Sequence, residues 1–368
     1  MDSSIEVSGD CGQYAVAGSG YKAKSRRDVT TRAQGKPMRA VWYERTGPAR
    51  EVLIVGEQPI PEPRPGEVRI KLAASGVNPA DCNRRGGVGY RMEAPLVIAH
   101  SDGAGFIDEL GEGVTRFREG DRVWLYNGQR NGRHRGTGAE YISLDADLVT
   151  ALPDSVPFEA GACLGIPCMT AHRCLFAGGP IDGQWIVVTG GGGAVGNYAI
   201  QLAKWRGARV IATVGHAQRW QREDAAAAGA DIVLDRDDEN LAARILAETD
   251  EVGAHRIVDV DFGGNLGWTK DAVALNGTIA AYATRGNSAP EVPFAILMRK
   301  NVTVQGVLLP TSPHHARRQA QADILAWLQG GSRLHRVVGP YVLDDAYLAH
   351  QAVEAGGKRG TVVVAPDQ

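Results

Sequence analysis

From Arg39 to about Leu152, apolar positions come in short runs cut by Gly and Pro. Val68–Ala73, Gly105–Leu110, Asp121–Tyr126 and Ala139–Leu144 read as strands, with glycines such as Gly66, Gly76, Gly103, Gly111 and Gly120 at or near their ends. Short strands at this spacing predict a β-barrel or sandwich. One short helix is predicted near Pro79–Arg85. After Pro157 the period changes. Ala162–Ala177 reads as helix, Trp185–Thr189 as strand, Ala194–Arg206 as helix, Ala208–Val214 as strand, Arg219–Ala228 as helix and Ile232–Leu234 as strand. The alternation continues through Leu241–Thr249, Arg256–Val260, Gly264–Ala274, Gly277–Tyr282 and Val302–Leu308. Such a series predicts an α/β fold with a doubly wound parallel sheet. The tail, from about Ala320 to Pro366, shows a helix, a strand at Val338–Val342, another helix and a strand at Thr361–Ala365 that is free to rejoin the first half.

Residues Met1 to Pro37 stand apart. They carry Gly, Ser, Asp, Lys and Arg without periodicity and lack the apolar core of a secretory signal. They read as a disordered or leader extension, with Met38 a sensible initiator for the strand-like Met38–Trp42.

Composition sharpens the picture in one respect. Of 368 residues 47 are glycine, nearly twice the usual share of about 7%. With no collagen period, that excess demands tight turns or close backbone approaches. A net charge of −2 offers no footprint for nucleic acid or an anionic membrane. No apolar run is long enough to span a bilayer. Five cysteines, an odd number in a long chain, do not make a disulfide framework and point to a reduced, cytoplasmic protein.

The densest glycine cluster follows the strand Trp185–Thr189: Gly190, Gly191, Gly192, Gly193, Ala194, Val195, Gly196. Gly191, Gly193 and Gly196 satisfy G-x-G-x-x-G directly after a strand and at the start of a helix, the context that gives this motif meaning. The glycines permit the turn, the approach of backbone amides to a pyrophosphate, and close helix–strand packing. The anion sits at the helix N-terminus. An acidic residue selecting NAD is expected about 20 residues on, at the end of the next strand. Gly215 stands there instead, followed by His216 and Arg219. A bare position with cations nearby favours the 2′-phosphate of NADPH, a charged hydrogen bond contributing about 1.5–3 kcal/mol. Asp235, at the end of the following strand, works against this.

These features, with Ala74-Ser-Gly-Val-Asn-Pro-Ala-Asp81, Gly111-Glu-Gly-Val-Thr-Arg-Phe-Arg-Glu-Gly-Asp-Arg-Val123 and Gly138-Ala-Glu-Tyr141, resemble the zinc-independent quinone oxidoreductase branch of the medium-chain dehydrogenase/reductase superfamily. The resemblance covers nearly everything from Met38 onward. It implies a GroES-like β-barrel catalytic domain (38–160), a Rossmann NADP-binding domain (161–312) and a return to the catalytic domain (313–368), preceded by the extension 1–37. It further implies an active site between the domains and a homodimer joined through the last Rossmann strand, Asn301–Leu309. An exposed edge strand needs a partner or cover, which agrees physically.

The resemblance also frames the metal question. A catalytic zinc needs three protein ligands and an open position. At the positions of the zinc alcohol dehydrogenases' ligands this chain has Asn78, His100 and Ile166, and one ligand of three is not a site. The stretch Tyr126–Gly138, where a structural zinc lobe would fall, has no cysteine. Cys163, Cys168 and Cys174, spaced five and six apart on a predicted helix, do not share a face and read as packing residues. No metal is expected.

Without a metal, hydride must reach an acceptor whose developing charge is delocalised, which suits quinones and conjugated enones. The resemblance assigns Asn78 and Asp81 to the catalytic site, Asn78 as donor to an oxyanion and Asp81 as an orienting group. Asn78 could equally cap the helix that starts at Pro79. His100 is a candidate proton donor, and Thr170 a contact to the nicotinamide. Many relatives carry a Tyr where this chain has Asn83, a loss for which Tyr90 or Trp42 are candidate compensations. The basic run Arg130-Asn-Gly-Arg-His-Arg135 reads as a solvated loop able to attract an anionic substrate. The leading expectation is an NADPH-dependent reductase of quinones or α,β-unsaturated carbonyls, by hydride or single-electron transfer. The alternatives are an enoyl-thioester reductase and an NADPH-binding protein with vestigial catalysis.

Overall fold

The computed structural model describes residues 37–130, 132–215 and 218–366. The extension expected at 1–37 therefore lies outside the described residues, apart from Pro37, and so does His216. The strands, numbered along the chain, are β1 Pro37–Tyr43, β2 Ile54–Pro59, β3 Glu67–Val77, β4 Val97–Ile98, β5 Asp102–Leu110, β6 Arg122–Leu125, β7 Tyr141–Asp145, β8 Val149–Ala151, β9 Trp185–Thr189, β10 Arg209–Val214, β11 Ile232–Asp235, β12 Ala254–Asp259, β13 Val273–Ala281, β14 Thr303–Gly306, β15 Val337–Val342 and β16 Thr361–Ala365.

The first half is antiparallel apart from the parallel pair of β15 with β16. A small sheet runs β2-β1-β4, and a larger one runs β15-β16-β3-β5-β6-β8 with β7 also on β3. The long β3 alternates buried and less buried residues over its first half, as expected where one face is packed and the other is not. The tail does rejoin this half, because β16 pairs antiparallel with β3 through Val362–Val77 and Val364–Ser75. The last strands thus brace the one from which Asn78 emerges.

The second half is a parallel sheet of order β11-β10-β9-β12-β13-β14. Its central strand β9 is buried at all five positions, the run of apolar residues that a parallel strand covered on both faces requires. The order reverses at β9, and the crevice outside the carboxyl ends of the strands at such a reversal is where this architecture binds ligands. The glycine cluster leaves β9 at that place.

One predicted element breaks. The helix expected at Ala162–Ala177 is a short helix Phe158–Gly161, an irregular five-residue turn Leu164–Cys168 and then the helix Met169–Phe176. Gly165 has non-helical dihedrals and Pro167 lies inside the turn. A proline removes an amide and crowds the preceding turn, so the apolar period runs on while the backbone cannot. The break leaves only Cys174 of the three expected helical cysteines on a helix, and Cys163, Cys168 and Cys174 are all buried and free. Among the described residues no helix is long and apolar enough to cross a membrane.

Candidate active site

The glycine cluster is a cradle. Gly190 has φ +65, which turns the chain out of β9. A Cβ on Gly196 would lie 2.3 Å from the Gly190 carbonyl oxygen, and one on Gly191 would lie 2.8 Å from Ala212 Cβ. These two positions admit glycine alone without a backbone shift. Gly193 is the N-cap of the helix Ala194–Trp205 and has no side chain to satisfy the first-turn amides. The amides of Ala194, Val195 and Gly196 therefore end an uncapped, 12-residue helix dipole. Such an end fits an anionic dinucleotide.

Beyond β10, Gly215 donates its amide to Gln221 Oε1 at 3.0 Å. The cation beside it is Arg236, not the predicted Arg219. The Arg236 guanidinium carbon lies 3.4 Å from where a Gly215 Cβ would stand. Arg219 points away, 92% exposed and paired along its helix with Glu223 at 3.1 Å. Helix periodicity could not reveal this. Arg236 follows β11, which pairs with β10 in the register Val214–Asp235, so sheet pairing brings it to Gly215.

Thr170 is buried in the first turn of Met169–Phe176. Asn78 precedes the helix Pro79–Gly86, and its own backbone amide donates to Asp81 Oδ2 at 2.9 Å, one half of a capping box. Its side-chain amide turns elsewhere and donates to Asp102 Oδ2 at 2.8 Å. The same carboxylate oxygen accepts the Ile166 amide at 2.7 Å. Asp102 Oδ1 is buried without a partner against Gly165, where a Cβ would clash at 2.2 Å. Gly165 and the break at Leu164–Cys168 thus make room for this carboxyl. Burial, then the nearby Asp81, push the Asp102 carboxyl up to about 8. It holds its proton at neutral pH. Asp81 Oδ1 accepts Ser101 Oγ at 2.7 Å and Arg130 Nη2 at 3.3 Å.

His100 does not join this group. With φ +70 at the entry to β5, it sends its ring the other way, Nδ1 to Ser75 Oγ at 2.9 Å and Nε2 to His350 Nε2 at 3.0 Å. It is fully buried, and desolvation lowers it to about 4. A ring with both nitrogens engaged and no exposure is a poor proton donor to a substrate. The residues brought to Asn78 and Asp81 are its successors, Ser101 and Asp102, which the motif reading missed. Trp42 packs with Met38, Ala40, Ile98 and Ala139. Tyr90 is close to the group around Asn78 and Asp81, since Arg130 lies 6.0 Å from the ring centroid. Arg130, predicted on a solvated loop, is buried.

The donor set does not fit zinc. The Asn78 amide nitrogen has no lone pair to offer a metal and donates to Asp102, the Ile166 side chain has no ligand atom, and both His100 nitrogens are engaged. Among the described residues no group of three His, Cys, Asp or Glu is placed to hold a metal ion.

Comparison with known proteins agrees with this architecture. Residues 64–154 match the family profile described as alcohol dehydrogenase GroES-like domain, and 194–327 the one described as zinc-binding dehydrogenase. The chain is 29% identical over 332 residues to a quinone oxidoreductase of Rattus norvegicus, covering 89% of this chain and 98% of the relative. A solved mycobacterial quinone oxidoreductase superposes with TM-score 0.78 at 29% identity, covering 89% of this chain and 100% of the other. A mycobacterial protein solved as its complex with NADPH superposes with TM-score 0.76 at the same identity and coverage. With a GroES-like module, a Rossmann-type sheet and relatives matched over nearly their whole length, the chain belongs to the medium-chain dehydrogenase/reductase superfamily of oxidoreductases.

Proposed function

We propose that this protein is a zinc-free, NADPH-dependent oxidoreductase that reduces quinones or related α,β-unsaturated carbonyls. The observation that carries the reading is the pairing of an uncapped glycine cradle with a bare Gly215 flanked by Arg236. Gly190–Gly193, Ala194, Val195 and Gly196 hold the pyrophosphate, Arg236 the 2′-phosphate, and Thr170 borders the nicotinamide. When bound, the nucleotide supplies a hydride or single electrons. The relatives named quinone oxidoreductases and the NADPH-complexed structure support the same reading.

The chain's own residues then act on the acceptor. One hydrogen of the Asn78 side-chain amide is held by Asp102, and the second is free for an oxygen that gains negative charge. Asp102, protonated and buried, fixes that amide without placing a negative charge beside the oxyanion. Asp81 fixes the Asn78 backbone and partly neutralises Arg130. No Lewis acid is needed for an acceptor whose charge spreads over a conjugated system. We further propose that two copies associate through β14, as the resemblance implies.

The test is a fluorescence titration with NADPH and NADH, followed by NADPH oxidation with ortho-quinones, para-quinones and enones. NADPH is expected to bind at least tenfold tighter than NADH. Arg236→Ala is expected to remove about one decade of that preference, one charged hydrogen bond's worth. Arg219→Ala is expected to leave it intact. Equal affinities for the two nucleotides would refute the cofactor assignment. Tight binding with no turnover of any acceptor would refute the reductase.

A further inference from the structure

Beside Asn78 the structure holds more positive charge than catalysis on a neutral quinone requires. Arg130 is only 4% exposed, yet among the described residues only Nη2 of its three guanidinium nitrogens has a partner, Asp81 at 3.3 Å. Its Nε and Nη1 are buried without a hydrogen-bond acceptor. Arg84, on the helix that Asn78 begins, meets a carboxylate only at 3.8 Å, on the exposed Glu93. Both guanidiniums face one ring, Arg84 at 5.5 Å and Arg130 at 6.0 Å from the Tyr90 centroid. Tyr90 is itself partly exposed, so the group opens at its outer edge. Asp81 cannot neutralise the pair. Its Oδ2 takes the Asn78 amide and its Oδ1 is shared with Ser101.

A buried guanidinium with two unsatisfied nitrogens carries a desolvation cost that an oxyanion removes, Nε or Nη1 serving together with the second hydrogen of Nη2 as a two-donor edge for a carboxylate. The Tyr90 ring, within cation–π range of both guanidiniums and partly exposed, supplies apolar surface against which the conjugated body of the same molecule can rest. Resting on the reductase reading above, we propose that the acceptor carries a carboxylate, held by Arg130 and Arg84 around Tyr90 while its conjugated carbonyl meets Asn78. The substrate class is then the carboxylated enones and quinones, an acid being favoured over its neutral ester.

The pair trans-3-benzoylacrylate and its methyl ester tests this in binding, because both carry the same aryl enone and the ester replaces the charge by a methyl group. Calorimetric titration of the NADP+-loaded protein is expected to show the acid binding at least tenfold tighter than the ester. Arg84→Gln, at the outer edge of the group, is expected to bring the acid-to-ester ratio most of the way to one. Arg130→Gln is expected to do the same, and Arg130→Lys to retain part of the preference. Arg84→Gln keeps the test decisive if loss of Arg130 unfolds the chain. Equal binding of the two compounds, or tighter binding of the ester, overturns the proposal whether or not either is turned over. Reduction of the ester at a rate matching the acid overturns it too, while leaving the reductase reading in place. Tight, arginine-dependent binding of the acid without NADPH oxidation supports the carboxylate site and counts against the reductase.

Discussion

Protonation of single buried groups sets the pH behaviour. Asp102 keeps its proton to about pH 8 in the folded chain, whereas an unfolded aspartate releases it near 4. Burial likewise raises Asp259. Burial has the opposite effect on histidines, lowering His100 and His335 to about 4, His350 well below its ordinary value, and His172 as well. Below pH 6.5 the unfolded chain protonates these four rings more readily than the folded chain, in which His100 and His335 stay neutral down to about pH 4. The four outnumber the two carboxyls that favour the folded state there, so stability falls on acidification. At pH 6.5 the unfolded rings are still half protonated, and their excess balances the Asp102 proton near pH 7. From there to pH 8 the unfolded state binds fewer protons, and stability declines by at most about 1.4 kcal/mol per pH unit for Asp102. A maximum near pH 7 is expected in urea-unfolding midpoints measured from pH 5 to 8. Asp102→Asn is expected to flatten the alkaline side, since one oxygen already accepts both the Asn78 and Ile166 donors. A midpoint that still rises from pH 7 to 8 in the unaltered chain would contradict this. Asn78 and Asp81 were legible in the sequence because they share one local motif. Asp102 was not, because it meets Asn78 only through the pairing of β3 with β5, where it lies opposite Gly76. His100, one residue earlier, has the residue type of a catalytic group and a left-handed backbone that aims it away.

At the scale of elements, the glycine cradle was legible almost to the residue, since strand, glycines and helix are contiguous and each glycine answers a local steric demand. Gly196→Ala tests that demand. Its methyl would meet the Gly190 carbonyl at 2.3 Å, so the loop must shift and its amides with it. NADPH affinity is expected to fall more than tenfold in a fluorescence titration, with a loss of stability of about 1–3 kcal/mol, ordinary for local backbone strain. Unchanged affinity would show that the cradle does not hold the nucleotide. The turn Leu164–Cys168 was not legible, because Gly165 and Pro167 interrupt a hydrophobic period that continues on both sides. The reason for the break is an atom from elsewhere, Asp102 Oδ1, which occupies the space a side chain on Gly165 would need. A similar reach fixes the helix Arg219–Ala227. Its buried Asp224 is held by Arg336 and Arg359 from the tail, each at 2.7 Å. The tail therefore ties the antiparallel half to the nucleotide-binding half, a contact that neither segment's own pattern announces.

At the scale of the whole molecule, one edge of the parallel sheet carries exposed apolar side chains. β14 ends the parallel sheet, and Val304 and Leu308 on and just after it are exposed, as are Phe294 and Met298 on the preceding helix. Exposed apolar residues along an unpaired edge with no proline or lysine in the strand invite another strand. Pairing of β14 with its copy about a two-fold axis would extend the sheet across both chains and cover these side chains, the isologous arrangement most homodimers use. The sequence pointed to this segment, Asn301–Leu309, although the strand itself is shorter, Thr303–Gly306. Val304→Lys with Leu308→Lys brings like charges face to face across such an axis and strips the apolar cover. Light scattering is expected to report a dimer for the unaltered chain and a monomer for the double variant. The glycine cradle, Gly215 and Arg236 all lie within one chain, so the monomer is expected to retain NADPH binding. A monomeric unaltered chain, or a double variant that stays dimeric, would place the contact elsewhere or remove it, and the exposed edge would then need another cover.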